Sequence, residues 1–205
     1  GRPDVDTPDY IKKAAEDSLK RGEVFYTSNY GDMQLRETIA WKLTTQNQIP
    51  TKATEVLVTV GLSEAIFDLL CTILDAGDEI LVPDPVWMNY VNVPRLLGAV
   101  PVSYRLREEN DYQMDLDEVR SKITDKTKAL VIVTPNNPTG SVLSEEVLTE
   151  LAKLAVEKDI LIIADEVYER LLYDGTKHVS IASLPGMKER TFTLNGMSKA
   201  YSMTG

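Results

Sequence analysis

Five short aliphatic runs in this sequence are each followed, within a few residues, by side chains able to do chemistry. Lys199, in Asn195-Gly196-Met197-Ser198-Lys199, follows TFTL (191–194), while Asp165 and Tyr168, in Asp165-Glu166-Val167-Tyr168, follow ILIIA (160–164). Asn136-Asn137-Pro138-Thr139-Gly140 follows ALVIVT (129–134), Trp87 follows EILVP (79–83), and Gly61-Leu62-Ser63-Glu64 follows EVLVTV (55–60). A lysine desolvated in a crevice becomes an amine able to form a Schiff base. An acid at the end of a buried strand can hold a proton on a ring nitrogen of a bound heteroaromatic through a charge-assisted hydrogen bond. A tryptophan in a crevice loop can stack on a planar ring, and a helix opening at Gly61-Leu62-Ser63 offers free N–H groups and a dipole to a phosphate.

Each residue also has a plainer reading. Ser63 is a common type of helix cap, Trp87 a common packing residue, and Asn136 to Gly140 are all turn formers. Most lysines are solvated. An apolar strand ending in Asp-Glu also resembles the metal-binding strand of P-loop nucleotidases. Neither G-x-x-x-x-G-K-[ST] nor G-x-G-x-x-G occurs, so the P-loop and dinucleotide fingerprints fail.

The elements that must position these residues follow from pattern. The five aliphatic runs are β-branched and suit strands covered on both faces. SEAIFDLLCTILD (63–75) and SEEVLTELAKLAVEKD (144–159) carry apolar residues at three and four spacing and are long enough for crossover helices. Strand, helix, strand repeated in this way predicts an α/β fold, three-layer α/β/α with a mainly parallel central sheet. VPVSYRL (100–106) reads as a further strand at an edge, because Pro101 cannot donate. In such a sheet the ligand crevice lies outside the carboxyl ends of the strands. Upstream, Thr7 reads as the N-cap of a helix with Pro8 at its first position, and a second helix is predicted after Gly31 from Leu35, Ile39 and Leu43. Cys71 reads as core, and His178 as a surface residue.

Composition narrows the function. The 205 residues carry 22 Lys plus Arg against 32 Asp plus Glu, a net charge of −10, which disfavours nucleic acid as a partner. A single cysteine and a single histidine exclude a disulfide framework and any multi-Cys or His-rich metal site, so no metal is expected. Apolar runs reach about half of the roughly 18 residues a membrane span needs. The expectation is a soluble, cytoplasmic protein that engages no membrane.

Taken in order, these segments resemble the fold-type I aminotransferases that use pyridoxal 5′-phosphate (PLP), most closely the aspartate/aromatic branch. The likeness starts at Gly1-Arg2-Pro3-Asp4-Val5-Asp6-Thr7-Pro8 and runs through Tyr26 to Gly31, Leu35-Arg36-Glu37, Val58-Thr59-Val60-Gly61, Gly77-Asp78-Glu79 and Thr127-Lys128. Asn136 to Gly140, Asp165 to Tyr168, Ser198-Lys199-Ala200 and Met203-Thr204-Gly205 complete it. The resemblance implies that Lys199 carries the cofactor and shuttles a proton, and that Asp165 pairs with the pyridinium nitrogen. Tyr168 and Asn137 would hydrogen-bond the phenolate oxygen. Trp87 would stack on the ring, and Leu62, Ser63 and Ser198 would hold the phosphate. Tyr26 would reach the phosphate of a neighbouring subunit, which implies a homodimer, and Gly1, Trp87 and Asn137 would line the substrate site.

Two departures bear on these expectations. Gly196 stands where many members have a phosphate-binding serine, and the chain stops before the family's phosphate arginine. The implied organisation is an N-terminal segment and helix (1–22) leading into a PLP-binding large domain (23–205), cut just after the Schiff-base lysine and lacking the C-terminal small domain. The implied activity is transfer of an amino group between an L-amino acid and a 2-oxo acid. A carbon–sulfur β-lyase, a decarboxylase, an inactive cofactor-binding fragment and a degenerate regulator domain are the other readings.

Overall fold

Runs of Val, Ile, Leu and Ala become parallel strands when both faces are covered, and four of the five runs do so in the computed structural model, which describes residues 2–205. The strands are β1 (Glu79–Asp84), β2 (Val100–Arg105), β3 (Thr127–Val133), β4 (Leu161–Asp165) and β5 (Thr191–Leu194), in spatial order β2-β1-β3-β4-β5 with every pairing parallel. The period-two alternation sorts their side chains. Ile80, Val82, Ala129, Val131, Val133 and Ile163 face one way, and Leu81, Leu130, Ile132, Ile162 and Ala164 face the other.

Helices cover each face, giving the expected three layers. On the first face lie α3 (Gly61–Ile73) and α4 (Asn89–Leu96), whose Ile66, Leu70 and Tyr90 join the core. On the second lie α5 (Leu116–Lys122) and α6 (Glu145–Lys158), contributing Val119, Leu148, Leu151, Leu154 and Ala155. Pro94 sits inside α4 and Asp115 caps α5; neither helix had been read from the sequence. As expected, β2 is an edge strand, with Pro101 on it. α1 (Asp9–Lys20), α2 (Met33–Gln46) and the short α7 (Met197–Ala200) complete the fold.

Three local expectations are corrected. Thr7 does not cap α1: Pro8 occupies the cap position, and the Thr7 hydroxyl donates to the Ser202 carbonyl at 2.6 Å. Cys71 is exposed rather than core, because α3 turns Ile66, Leu70 and Leu74 toward the sheet at spacing four and swings the next residue outward. In the run Glu55–Val60, Glu55 closes a short 3-10 turn (Ala53–Glu55), and the residues after it join no ladder. A strand needs a neighbour's N–H and C=O groups within reach, and a cavity of about 430 Å3, lined by Leu57, Thr59, Thr191 and Phe192 among others, lies between this run and β5.

That run is nevertheless held in place. The buried Arg36 donates to the carbonyls of Val56 and Ala53 at 2.9 and 2.8 Å, and Val58 N–H donates to the Tyr30 carbonyl at 3.1 Å. Gly31 lies against Val58 with φ +95°, and a Cβ there would stand 2.5 Å from the Val58 Cβ. We expect Gly31→Ala to cost on the order of 2–4 kcal/mol from left-handed backbone strain plus the clash, read as a lowered urea midpoint; Gly175→Ala, which meets no neighbour, should cost less.

Candidate active site

The strand order changes direction between β1 and β3, the place where an open α/β sheet leaves a crevice at its carboxyl edge. Asp165 ends β4 there, with only 3% of its surface exposed. Its Oδ2 accepts from the Tyr90 hydroxyl at 2.8 Å and its Oδ1 accepts from the Val167 N–H at 3.1 Å. Burial pushes the carboxyl up to about 6, with the neighbouring Glu166 charge adding to the rise and the two donated hydrogen bonds opposing it. An ionised carboxylate offers about four acceptor positions, so this one retains capacity for a further donor.

The connection after β4 brings Tyr168 beside the loop after β3. The Asn137 amide Nδ2 donates to the Tyr168 hydroxyl at 3.4 Å. Burial first, and then the charge of Asp165, raise the Tyr168 phenol above its ordinary range. The Asn137 loop is braced by Asn136, whose backbone bonds Ser141 and Gly140 at 2.8 and 2.9 Å and whose buried Nδ2 has no protein partner. On α7, the Lys199 ammonium stands 6.0 Å from the centre of the Tyr168 ring. Tyr168 thus touches Asn137, has Lys199 near its ring and feels the charge of Asp165.

The remaining expected residues frame that group. Leu62 and Ser63 lie in the first turn of α3, whose cap residue Val60 makes no side-chain cap bond. First-turn N–H groups lack intrahelical acceptors, and Gly61 enters the turn at φ +73°. Ser63 is not the cap; its hydroxyl accepts from Asn89 at 3.3 Å. Trp87, in the β1–α4 connection, is 44% exposed, and Ser198 is half-buried on α7. Gly196 is extended at φ −173°, a backbone any residue adopts. Tyr26 is fully exposed, so among the described residues no other site residue covers it, and Gly1 lies outside them.

Two features escaped sequence reading. Tyr90, three residues after Trp87, is fully buried against Asp165. His178 is not a surface residue: its side chain is 9% exposed and its Nε2 lies 3.1 Å from Glu166. Glu166 turns away from the crevice and also accepts from Ser180 at 2.7 Å; Asn47 donates to Ser180 at 2.8 Å and to Glu169 at 2.7 Å, and Lys42 ion-pairs with Glu169. Burial pushes the Glu169 carboxyl up, but Lys42 and Asn47 together hold it below the usual range. Glu166, Glu169 and His178 bring potential ligand atoms within 4.8 Å of one another, but the Lys42 ammonium already supplies the positive charge.

Comparison with known proteins places this arrangement. The sequence-family model "Aminotransferase class I and II" matches residues 1–205. The chain belongs to that family. An aspartate aminotransferase of Pyrococcus abyssi is 47% identical over 208 residues, covering all of this chain and 53% of the relative. An aromatic-amino-acid aminotransferase of Thermococcus litoralis is 45% identical over 206 residues with the same coverage. A solved aromatic aminotransferase from Pyrococcus horikoshii superposes with a TM-score of 0.98 at 44% identity, over all of this chain and 55% of that one. The chain therefore spans about half the length of the curated relatives it matches. Class I and II aminotransferases are PLP-dependent, and among the described residues no helix is long and apolar enough to cross a membrane.

The elevated Asp165 carboxyl fixes a pH dependence for this member of the class I and II aminotransferase family without added ligand. A carboxyl that rises from 3.8 to about 6 on folding binds a proton more tightly in the native state. Its contribution is complete below about pH 4 and is lost as pH rises through about 6. Relative to Asp165→Asn, the unmodified chain should lose on the order of 3 kcal/mol of stability between pH 4 and pH 7. Urea unfolding of both proteins across that range checks the sign and the size.

Proposed function

We propose that this chain is the cofactor-binding part of a PLP-dependent aminotransferase that moves an amino group between an L-amino acid and a 2-oxo acid. The observation that carries the reading is the buried, under-filled carboxylate of Asp165, set beside Tyr168, Asn137 and Lys199 at one crevice. These residues fit the cofactor. A carboxylate with spare acceptor capacity suits a protonated ring nitrogen, and the uncapped first turn of α3 suits a phosphate. When bound, PLP supplies an electron sink for negative charge developing at the substrate Cα.

The chain's own residues do the rest. Lys199 is the amine that would hold the cofactor at its carbonyl carbon, with loss of water, and as a free amine it would carry the proton taken from the substrate Cα. Asp165 holds the ring nitrogen protonated, while Tyr168 and Asn137 donate to the ring oxygen. Trp87 covers one ring face. Leu62 and Ser63 hold the phosphate through N–H groups and the Ser63 hydroxyl, with Ser198 beside them. Asn137 and Gly1 orient the substrate carboxylate, and Trp87 lines the same pocket.

The organisation proposed is residues 1–22 as a segment and helix leading into the cofactor domain of 23–205, with a small domain supplied by the longer protein. In that protein Tyr26, fully exposed here, would reach a second copy's phosphate within a cytoplasmic homodimer. The relatives' own activities, as their names give them, aspartate, aromatic-amino-acid and aspartate/prephenate aminotransferases, support transamination over the lyase and decarboxylase readings.

Borohydride reduction of the chain mixed with PLP, followed by peptide mapping, should place the label on Lys199. Lys199→Ala should lose the visible absorbance and the label together, and in the longer protein should lower turnover on the order of 100-fold or more. A folded chain, verified by circular dichroism, that labels elsewhere would defeat the reading.

A further inference from the structure

Asp165 is the last residue of β4, between β3 and β5, and its flanking partners in the ladder are Val133 and Leu194, which offer its carboxylate nothing polar. One donor to it is its own connection, the Val167 N–H on Oδ1. The other comes from a different element: the Tyr90 hydroxyl on Oδ2 at 2.8 Å. Tyr90 is fully buried in the layer formed by α3, α4 and the sheet, packed with Ile66, Ile80 and Val131 among others. Its ring cannot swing away without opening that core, so the hydroxyl is a fixed point and the carboxylate is oriented by it. The phenol is pushed well above its ordinary value by burial and by the Asp165 charge, so it stays a neutral donor. The other titratable groups near Asp165 are Glu166, bonded away toward Ser180 and His178, and Tyr168, with Lys199 beyond the Tyr168 ring.

We propose that Tyr90 is a positioning residue, which through its hydroxyl fixes the orientation of the Asp165 carboxylate and keeps the proton off the oxygen pair that faces the cofactor's ring nitrogen. This rests on the PLP reading above. With Tyr90 donating to Oδ2, the outward acceptor positions of Asp165 remain for the ring N–H. Without it, a buried carboxylate held by a single donor takes up a proton more readily and presents an O–H where an acceptor is needed.

Asp165 in the cofactor-free chain, followed by carboxyl 13C NMR and assigned by difference with Asp165→Asn, should titrate near 6. In Tyr90→Phe its midpoint should rise by about one pH unit, a roughly tenfold gain in proton affinity. Replacing Tyr90 with 3-fluorotyrosine, which is close to isosteric and a stronger donor, should move the midpoint the opposite way, a response that loss of packing does not produce. An unchanged midpoint in the phenylalanine variant overturns the proposal; should that variant not fold, indifference to the fluorine overturns it equally. Where PLP labels Lys199, Tyr90→Phe should weaken PLP retention about fivefold at pH 6 and about twofold at pH 7, with the deficit vanishing toward pH 8.5 as Asp165 re-ionises. Equal retention at about pH 6 and pH 7 defeats the positioning role. Failure of PLP to label Lys199 in the unmodified chain fails the cofactor reading instead, and leaves the titration to decide Tyr90.

Discussion

Burying a carboxylate costs several kcal/mol unless donors replace its lost water, and the candidate site is organised around one that is only partly compensated. Asp165 receives two hydrogen bonds where about four could be accepted. The deficit leaves its carboxyl raised to about 6, a value at which it is ionised at neutral pH yet strongly disposed to accept a proton or an N–H donor. A surface aspartate would already be satisfied by water and would exert no such pull. The three-layer fold creates the condition: helices cover β4 on both faces, with Ile163 turned to one side and Ile162 and Ala164 to the other.

The next residue faces a different environment. Glu166 is fully buried too, but it enters a network with Ser180, His178 and Asn47, which continues through Glu169 to Lys42 on α2. Chain alternation at the strand end sends one acid toward the crevice and its neighbour behind it. The network ties the end of α2 and the segment around Ser180 to the β4 connection, so Tyr168 is anchored from beneath. Buried polar groups that bond one another rigidify a structure, although Asn47 Oδ1, Glu166 Oε1 and His178 Nδ1 make no hydrogen bond within this network.

Much of this was legible in the sequence because it depends on local pattern. The runs at β1, β3, β4 and β5 announce themselves by β-branched and aliphatic residues, and the side chains following them land at one sheet edge as topology requires. What could not be read depends on partners distant in the chain. Glu55–Val60 has the composition of a strand, but a ladder is a property of two segments, and β5 lies across a cavity from it. Tyr90 gives no local sign that its hydroxyl meets a carboxylate 75 residues later. His178 sits in a run of polar turn formers, and only the fold brings Glu166 to its ring. Cys71 was misplaced by one position around α3, where a step of 100° separates the core face from solvent.

The two sides of the crevice differ in the same physical terms. On the deep side, Asp165, Tyr90 and Val167 are buried and fixed by the sheet, so their electrostatics act in a low dielectric. On the outer side, Trp87 is 44% exposed, Ser63 is exposed, and Tyr26 is bare to solvent. Charge stabilisation is worth most where water is excluded, so the deep groups are organised without help, whereas the first turn of α3, where a phosphate would sit under the proposed reading, would draw its strength from whatever covers it. α1 points to the same division. Ile11, Ala14, Ala15 and Leu19 share a face, yet the helix buries none of its residues. In these residues the groups that would choose the ring's protonation are built into the core, while those that would enclose the phosphate and the substrate stand at the surface, where contacts from outside them set their geometry.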